Sequence, residues 1–230
     1  MTLSLCSLLI FITFTLGCRS PADQPAEQTA KSRTADARAT NAAGALPQAS
    51  GQFDYYLLTL SWSPEYCHGH PNAAQCDGEH PGFVVHGLWP QNNDGRWPSH
   101  CSTEAGLPNP TTMLDIMPDP RLIAHEWTTH GSCTGLTASQ YFHTIRAAYD
   151  RIRIPDELRH PTQIRRSSAA AIKQMFVDAN PKFSTDDIAI SCHNRYLAGV
   201  SFCLSKSLQP IACQSMRDCD ARSTIVPAMR

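Results

Sequence analysis

Eight cysteines behind an apolar N-terminal run constrain this chain more than any other feature. Of its ten cysteines, Cys6 and Cys18 lie in the leader, which leaves Cys67, Cys76, Cys101, Cys133, Cys192, Cys203, Cys213 and Cys219. Residues 3–16 are apolar and uncharged, too short a run for a membrane span and the right length for a signal h-region. An even set of cysteines after such a leader predicts disulfides formed in an oxidising compartment. Spacing alone leaves roughly a hundred pairings open. No C-x2-C pair occurs, so the cysteines do not read as zinc ligands.

The chain divides into a leader, a linker and a domain. Residues 1–18 form the signal segment. Thr15-Leu16-Gly17-Cys18 resembles a bacterial lipoprotein box, which allows two readings: an acylated Cys18 as the mature N-terminus, or an ordinary secretion signal. The protein is accordingly expected to be exported, as a membrane-anchored lipoprotein, a periplasmic protein or a secreted one. Residues 19–50 carry Ala, Thr, Gln, Ser and Pro with scattered charges and almost no large apolar side chain. They cannot bury enough surface to offset ordering and read as a flexible linker. Residues 51–230 are long enough for one sizeable domain. A net charge of −1 supplies no broad basic field. That excludes a protein that coats nucleic acid by phosphate neutralisation and leaves room for an enzyme making a few local phosphate contacts.

Within that domain Tyr55 to Trp62 reads as a buried strand, and Gly82 to Leu88 as a second that delivers His86 near its end. Thr137 to Ile152 reads as a helix, with Thr137 and Gln140 as a capping box and Tyr141, Ile145, Ala148 and Ile152 as its apolar stripe. Ser168 to Asn180 reads as another helix, ended by Pro181. Ile188 to Cys192 and Tyr196 to Leu204 read as closing strands. Helices in the middle and strands at both ends predict an α+β fold, a central antiparallel sheet with flanking helices.

Candidate chemistry is concentrated in His125-Glu126-Trp127-Thr128-Thr129-His130-Gly131, with His86 upstream. On a helix each residue advances about 100°. Taking His125 as zero, Thr129 falls at about 40°, Glu126 at about 100° and His130 at about 140°. The polar groups share one arc, Trp127 and Thr128 point away, and Gly131 reads as the helix stop. The two His stand at i, i+5, whereas helical zinc proteases place theirs at i, i+4 in H-E-x-x-H. Metal ligation is thus the weaker reading, imidazole proton transfer near neutral pH the stronger, and mere helix support the plain alternative.

Two segments taken together narrow this further. FVVHGLWP at 83–90 and HEWTTHGSC at 125–133 closely resemble the two catalytic segments of the T2 family of ribonucleases. FDYYLLTLSWSPEYC at 53–67 resembles the family's first strand and its exit, MPDPRLIAHEW at 117–127 its lead-in to the second catalytic segment, and the late cysteines its C-terminal pattern. The resemblance covers most of 52–219, which implies that 51–230 is a T2-type ribonuclease domain. It implies the pairs Cys67–Cys76, Cys101–Cys133, Cys192–Cys219 and Cys203–Cys213.

It also implies a reaction: cleavage of single-stranded RNA, not DNA, by attack of the 2′-OH to give a 2′,3′-cyclic phosphate, then hydrolysis to a 3′-phosphate. No cofactor or metal is expected, and nothing demands more than a monomer. His130 is implied as the general base and His86 as the general acid, roles the sequence would allow to be exchanged. His125 would bind phosphate, and Glu126 would orient or polarise groups around the phosphorane. The family usually has Lys where Thr129 stands, which predicts reduced turnover or compensation by a nearby Arg, Arg96 or Arg121. Trp89 matches the family's stacking Trp, Trp97 stands where a Tyr is common, and Gln91 stands where some members read the base with Asp. Gln offers a donor and an acceptor, so broad base preference is expected. Core packing is the plain alternative for both Trp. His68, His70, His80, His100, His143, His160 and His193 read as surface or loop residues. Two rival functions remain: a weakened RNA-binding protein, motivated by Thr129, and a metal-dependent hydrolase.

Overall fold

The computed structural model describes residues 50–77, 82–219 and 223–229. The expected signal segment with Cys18, the expected linker up to residue 49, and His80 lie outside the described residues.

The chain is α+β. Strand β1 (Tyr55–Trp62) lies centrally, paired antiparallel with β2 (Phe83–Gln91) on one side and β5 (Tyr196–Leu204) on the other. β5 also pairs antiparallel with β4 (Ile188–His193). A short arm, β6 (Thr224–Val226) paired with β3 (Arg165–Ser167), extends the sheet through one parallel bridge between Tyr196 and Ile225.

β1 is apolar on both faces because both are covered. Tyr56, Leu58, Leu60 and Trp62 enter the main core, while Tyr55 and Leu57 join Cys203 and Trp89 in a smaller layer. Three helices cover the main-core face: α2 (Pro120–Thr129) through Ile123 and Trp127, α3 (Ala138–Tyr149) through Tyr141, Phe142, Ile145 and Ala148, and α5 (Ala169–Ala179) through Ile172 and Phe176. α3 opens with the expected Thr137–Gln140 capping box. Ser168 caps α5 by accepting the Ala171 N–H.

Several elements depart from expectation for identifiable reasons. β2 runs on through Pro90 to Gln91, so His86 sits mid-strand rather than near its end. β2 is an edge strand, where the N–H that proline lacks is not needed. A helix, α1 (Ser63–Gly69), comes directly after β1, with Pro64 in its first turn, a position proline favours. A single turn, α4 (Asp156–Arg159), is a further addition to the expected elements. Gly131 does not end α2 in the left-handed conformation. It opens a 3-10 turn, Gly131–Cys133, and a Cβ there would lie 2.6 Å from Tyr141 and 2.7 Å from Trp127. Close packing, not turn geometry, demands glycine.

The structure joins Cys67 to Cys76, Cys101 to Cys133, Cys192 to Cys219 and Cys203 to Cys213, the pairs the family resemblance implies. Cys101–Cys133 fastens the loop after β2 to the end of α2, and the Cys101 N–H adds a bond to Ser132 Oγ at 3.2 Å. Ser50 belongs with the domain rather than the linker. Its hydroxyl donates to the Ser132 carbonyl at 2.8 Å and accepts the Gly135 N–H at 3.0 Å.

Candidate active site

The site begins with an irregularity in the sheet. Thr59 pairs with Gly87, but Leu60 pairs with Val85, so His86 is the extra residue of a β-bulge. A bulge releases a side chain from the ladder and re-aims it. Ser61 Oγ meets His86 Nδ1 at 3.2 Å, and His86 Nε2 lies 3.7 Å from Glu126 Oε1.

Glu126 is fully buried. Its Oε2 accepts the Trp89 indole N–H at 2.7 Å, while Oε1 has no hydrogen-bond partner. Lost solvation pushes the carboxyl up to about 8, against the opposing pull of the Trp89 bond. Glu126 occupies space that Gly87 leaves free, since a Cβ on Gly87 would collide with Glu126 Oε2 and Trp89 Nε1. Gly87→Ala is therefore expected to displace the carboxyl. Overpacking of this kind costs about 1–3 kcal/mol, or roughly 2–12 °C in Tm for a domain of this size, and turnover should fall about 100-fold. A variant with unchanged turnover would show that Glu126 can move without consequence.

His130 closes α2, its N–H donating to the Glu126 carbonyl at 3.1 Å. Its Nδ1 is buried without a partner. Its ring lies 5.2 Å from Trp89, and the other neighbour of that indole is His86 at 5.3 Å. Trp89 therefore contacts both imidazoles while holding Glu126. Burial first, then the charges of His125, His86 and His100, push His130 down to about 3. Burial and His125 draw His86 down to about 4. Because 42% of the His86 side chain remains exposed, water limits how far that loss of solvation goes. His125 is exposed, 6.3 Å from the His130 ring, with Nδ1 3.4 Å from Thr129 Oγ1.

The structure thus brings together His86, Trp89, His125, Glu126, Thr129 and His130. Trp127 points into the core and donates to the Glu104 carbonyl at 2.8 Å, as the helical arc requires. Gln91 is buried opposite Tyr55, five residues along β2 from His86 and so about 16 Å away. Trp97 is half-buried in the loop after β2. Sequence reasoning misses Ser61, although it is a polar position within the apolar run of β1. It also misses His100, whose N–H donates to the Thr129 carbonyl at 3.0 Å. The available signal is adjacency to Cys101, whose implied partner Cys133 ends the second catalytic segment.

Chemically, the cluster offers two imidazoles that burial keeps neutral, a buried carboxyl that keeps its proton, and a solvent-facing edge at His125 and Thr129. Neutral imidazoles can accept or relay protons, and a protonated carboxyl can donate a hydrogen bond. Donor atoms of His125, Glu126 and His130 also lie within 4.8 Å of one another and could hold a cation.

A profile of the ribonuclease T2 family matches residues 53–213. A ribonuclease of Aeromonas hydrophila is 43% identical over 94 residues, 40% of this chain and 43% of that protein. A probable ribonuclease of Haemophilus influenzae is 35% identical over 127 residues, 47% of each chain. The chain thus spans about half the length of these curated relatives. Among solved structures, an RNase-related protein from Calystegia sepium superposes with a TM-score of 0.65 at 23% identity, over 77% of this chain and 98% of that one. By the profile match across most of the folded region and the fold it shares, the chain belongs to the ribonuclease T2 family.

Proposed function

We propose that this protein is a metal-independent endoribonuclease that cleaves single-stranded RNA by transphosphorylation. The observation that carries the reading is the pair of imidazoles, His86 and His130, set against one indole with the buried Glu126 beside them. His130 takes the 2′-OH proton, the 2′-oxygen attacks phosphorus, and the bond to the 5′-oxygen breaks as His86 protonates it. The product is a 2′,3′-cyclic phosphate. Water then opens it with the two roles reversed, leaving a 3′-phosphate. Imidazole suits both roles, since its proton affinity is easily tuned toward the working pH. Glu126, kept protonated by burial, donates to a non-bridging oxygen as charge grows there. His125 and Thr129 hold the phosphate at the open edge, and Trp89 and Trp97 receive bases. The four disulfides support an exported, oxidising setting, and we place a lipidated Cys18 or a cleaved signal at its start. A single chain suffices for the site.

The test is digestion of single-stranded RNA, and of DNA of the same sequence, in excess chelator. We expect RNA to be cut and DNA to stay intact, because DNA lacks the nucleophile. A second reading rests on the compact His125–Glu126–His130 donor set. Cleavage that appears only on adding a divalent ion would favour it and overturn ours.

A further inference from the structure

Thr129 leaves its own position without the cation that the family resemblance leads one to expect, and the two arginines expected to compensate do not supply it. Arg96 is held by Asp94 through two of its guanidinium nitrogens. Arg121 is held by Asp119 at 3.3 Å, eight residues before Thr129 and so about 12 Å along α2.

His100 is placed differently. Its backbone N–H donates to the Thr129 carbonyl, which sets it against the turn of α2 that carries His125, Thr129 and His130. The next residue, Cys101, is locked to Cys133, so the position cannot drift. The backbone at His100 is left-handed, with φ +55, a conformation that non-glycine residues rarely adopt and that tends to be kept where function needs it. Ser99 Oγ bonds its Nδ1, which orients the ring and leaves Nε2 for another partner. His100 is exposed, and its charge is among those felt by His130.

We propose that His100 is a substrate-binding residue that donates from Nε2 to the RNA phosphodiester, doing the work that a cation at position 129 would otherwise do. An imidazole with Nδ1 serving as acceptor carries its N–H on Nε2, and the protonated ring carries one there as well. The inference rests on the RNA-cleaving reading above.

The experiment is a double-mutant cycle on kcat and KM for single-stranded RNA, using His100→Asn and Thr129→Lys. Asn tolerates the left-handed backbone, so the variant removes the imidazole without forcing the loop to move. His100→Asn alone should lower kcat/KM by roughly 10- to 100-fold, the range for one hydrogen bond to a charged group. Thr129→Lys alone should raise it. In the Thr129→Lys background the loss at position 100 should shrink to a few-fold, because one donor has replaced the other. Equal losses in both backgrounds, or no loss in either, would overturn the proposal while leaving RNA cleavage standing. Binding of a 3′-mononucleotide, monitored by NMR of the His100 ring, tests the contact separately from turnover. A ring signal that shifts on nucleotide addition supports the proposal even if the wild type cuts no RNA, and a silent one contradicts it.

Discussion

Replacing His130 with alanine is expected to lower kcat on single-stranded RNA by roughly 10²–10⁴-fold, the usual contribution of one positioned proton-transfer group. His86→Ala should do the same. The two can be told apart chemically. A ribonucleoside 3′-phosphodiester with a good leaving group, such as p-nitrophenolate, needs no proton on departure. On that substrate His86→Ala should recover most of its activity and His130→Ala should not. The opposite pattern would exchange the acid and base. Equal losses on both substrates would contradict a general-acid role for either residue.

The same pair sets the pH response. A base must be unprotonated and an acid protonated. In the free protein His130 is drawn down to about 3 and His86 to about 4. kcat/KM should therefore fall as pH rises and His86 loses its proton, at a pH that burial and His125 draw below the ordinary imidazole range and that its exposed face keeps from falling far. A bound phosphodiester brings a negative charge that favours protonated imidazole, so the alkaline limb of kcat should lie at higher pH than that of kcat/KM. Identical limbs would mean that the phosphate does not sit against His86.

Glu126→Gln is expected to be more stable than the wild type at neutral pH while keeping most of its activity. In the unfolded chain the carboxyl ionises above its ordinary 4.5, whereas in the folded protein it holds its proton up to about 8. Folding therefore takes up a proton between those values, and stability falls as pH rises from about 4.5 to 8. At pH 7 the penalty is about 3 kcal/mol by order of magnitude. Glutamine is neutral throughout, and its carbonyl can still accept the Trp89 N–H. The variant should match the wild type near pH 4 and melt roughly 6–12 °C higher at about pH 7 to 8. Its amide N–H2 then donates where the carboxyl O–H does, so turnover should stay within about 10-fold of the wild type, whereas Glu126→Leu, which has no donor, should lose about 10²–10³-fold. A Tm difference that does not change with pH would contradict the buried, protonated carboxyl.

Where local physics and tertiary packing agree, the sequence is legible. The capping box of α3 rests on residues three apart, and its stripe on helical periodicity, so both can be read directly. The polar arc of α2 is equally plain, since helix geometry alone sets its angles. Features decided by distant neighbours are not legible. Pro90 looks like the end of a strand because edge position is not visible in sequence. Gly131 looks like a stop because only the fold shows Tyr141 and Trp127 crowding it. The bulge that aims His86 depends on register against β1, and the burial that protonates Glu126 depends on Trp89 and Gly87 closing over it. His100 stands out only once Cys101–Cys133 brings its loop beside α2.

The most direct test of the central claim is to monitor cleavage of a dinucleoside monophosphate by phosphorus NMR in excess chelator. Imidazole catalysis predicts a 2′,3′-cyclic phosphate that accumulates first and then gives way to a 3′-phosphate. Products ending in 5′-phosphate, or none until a divalent ion is added, would contradict it.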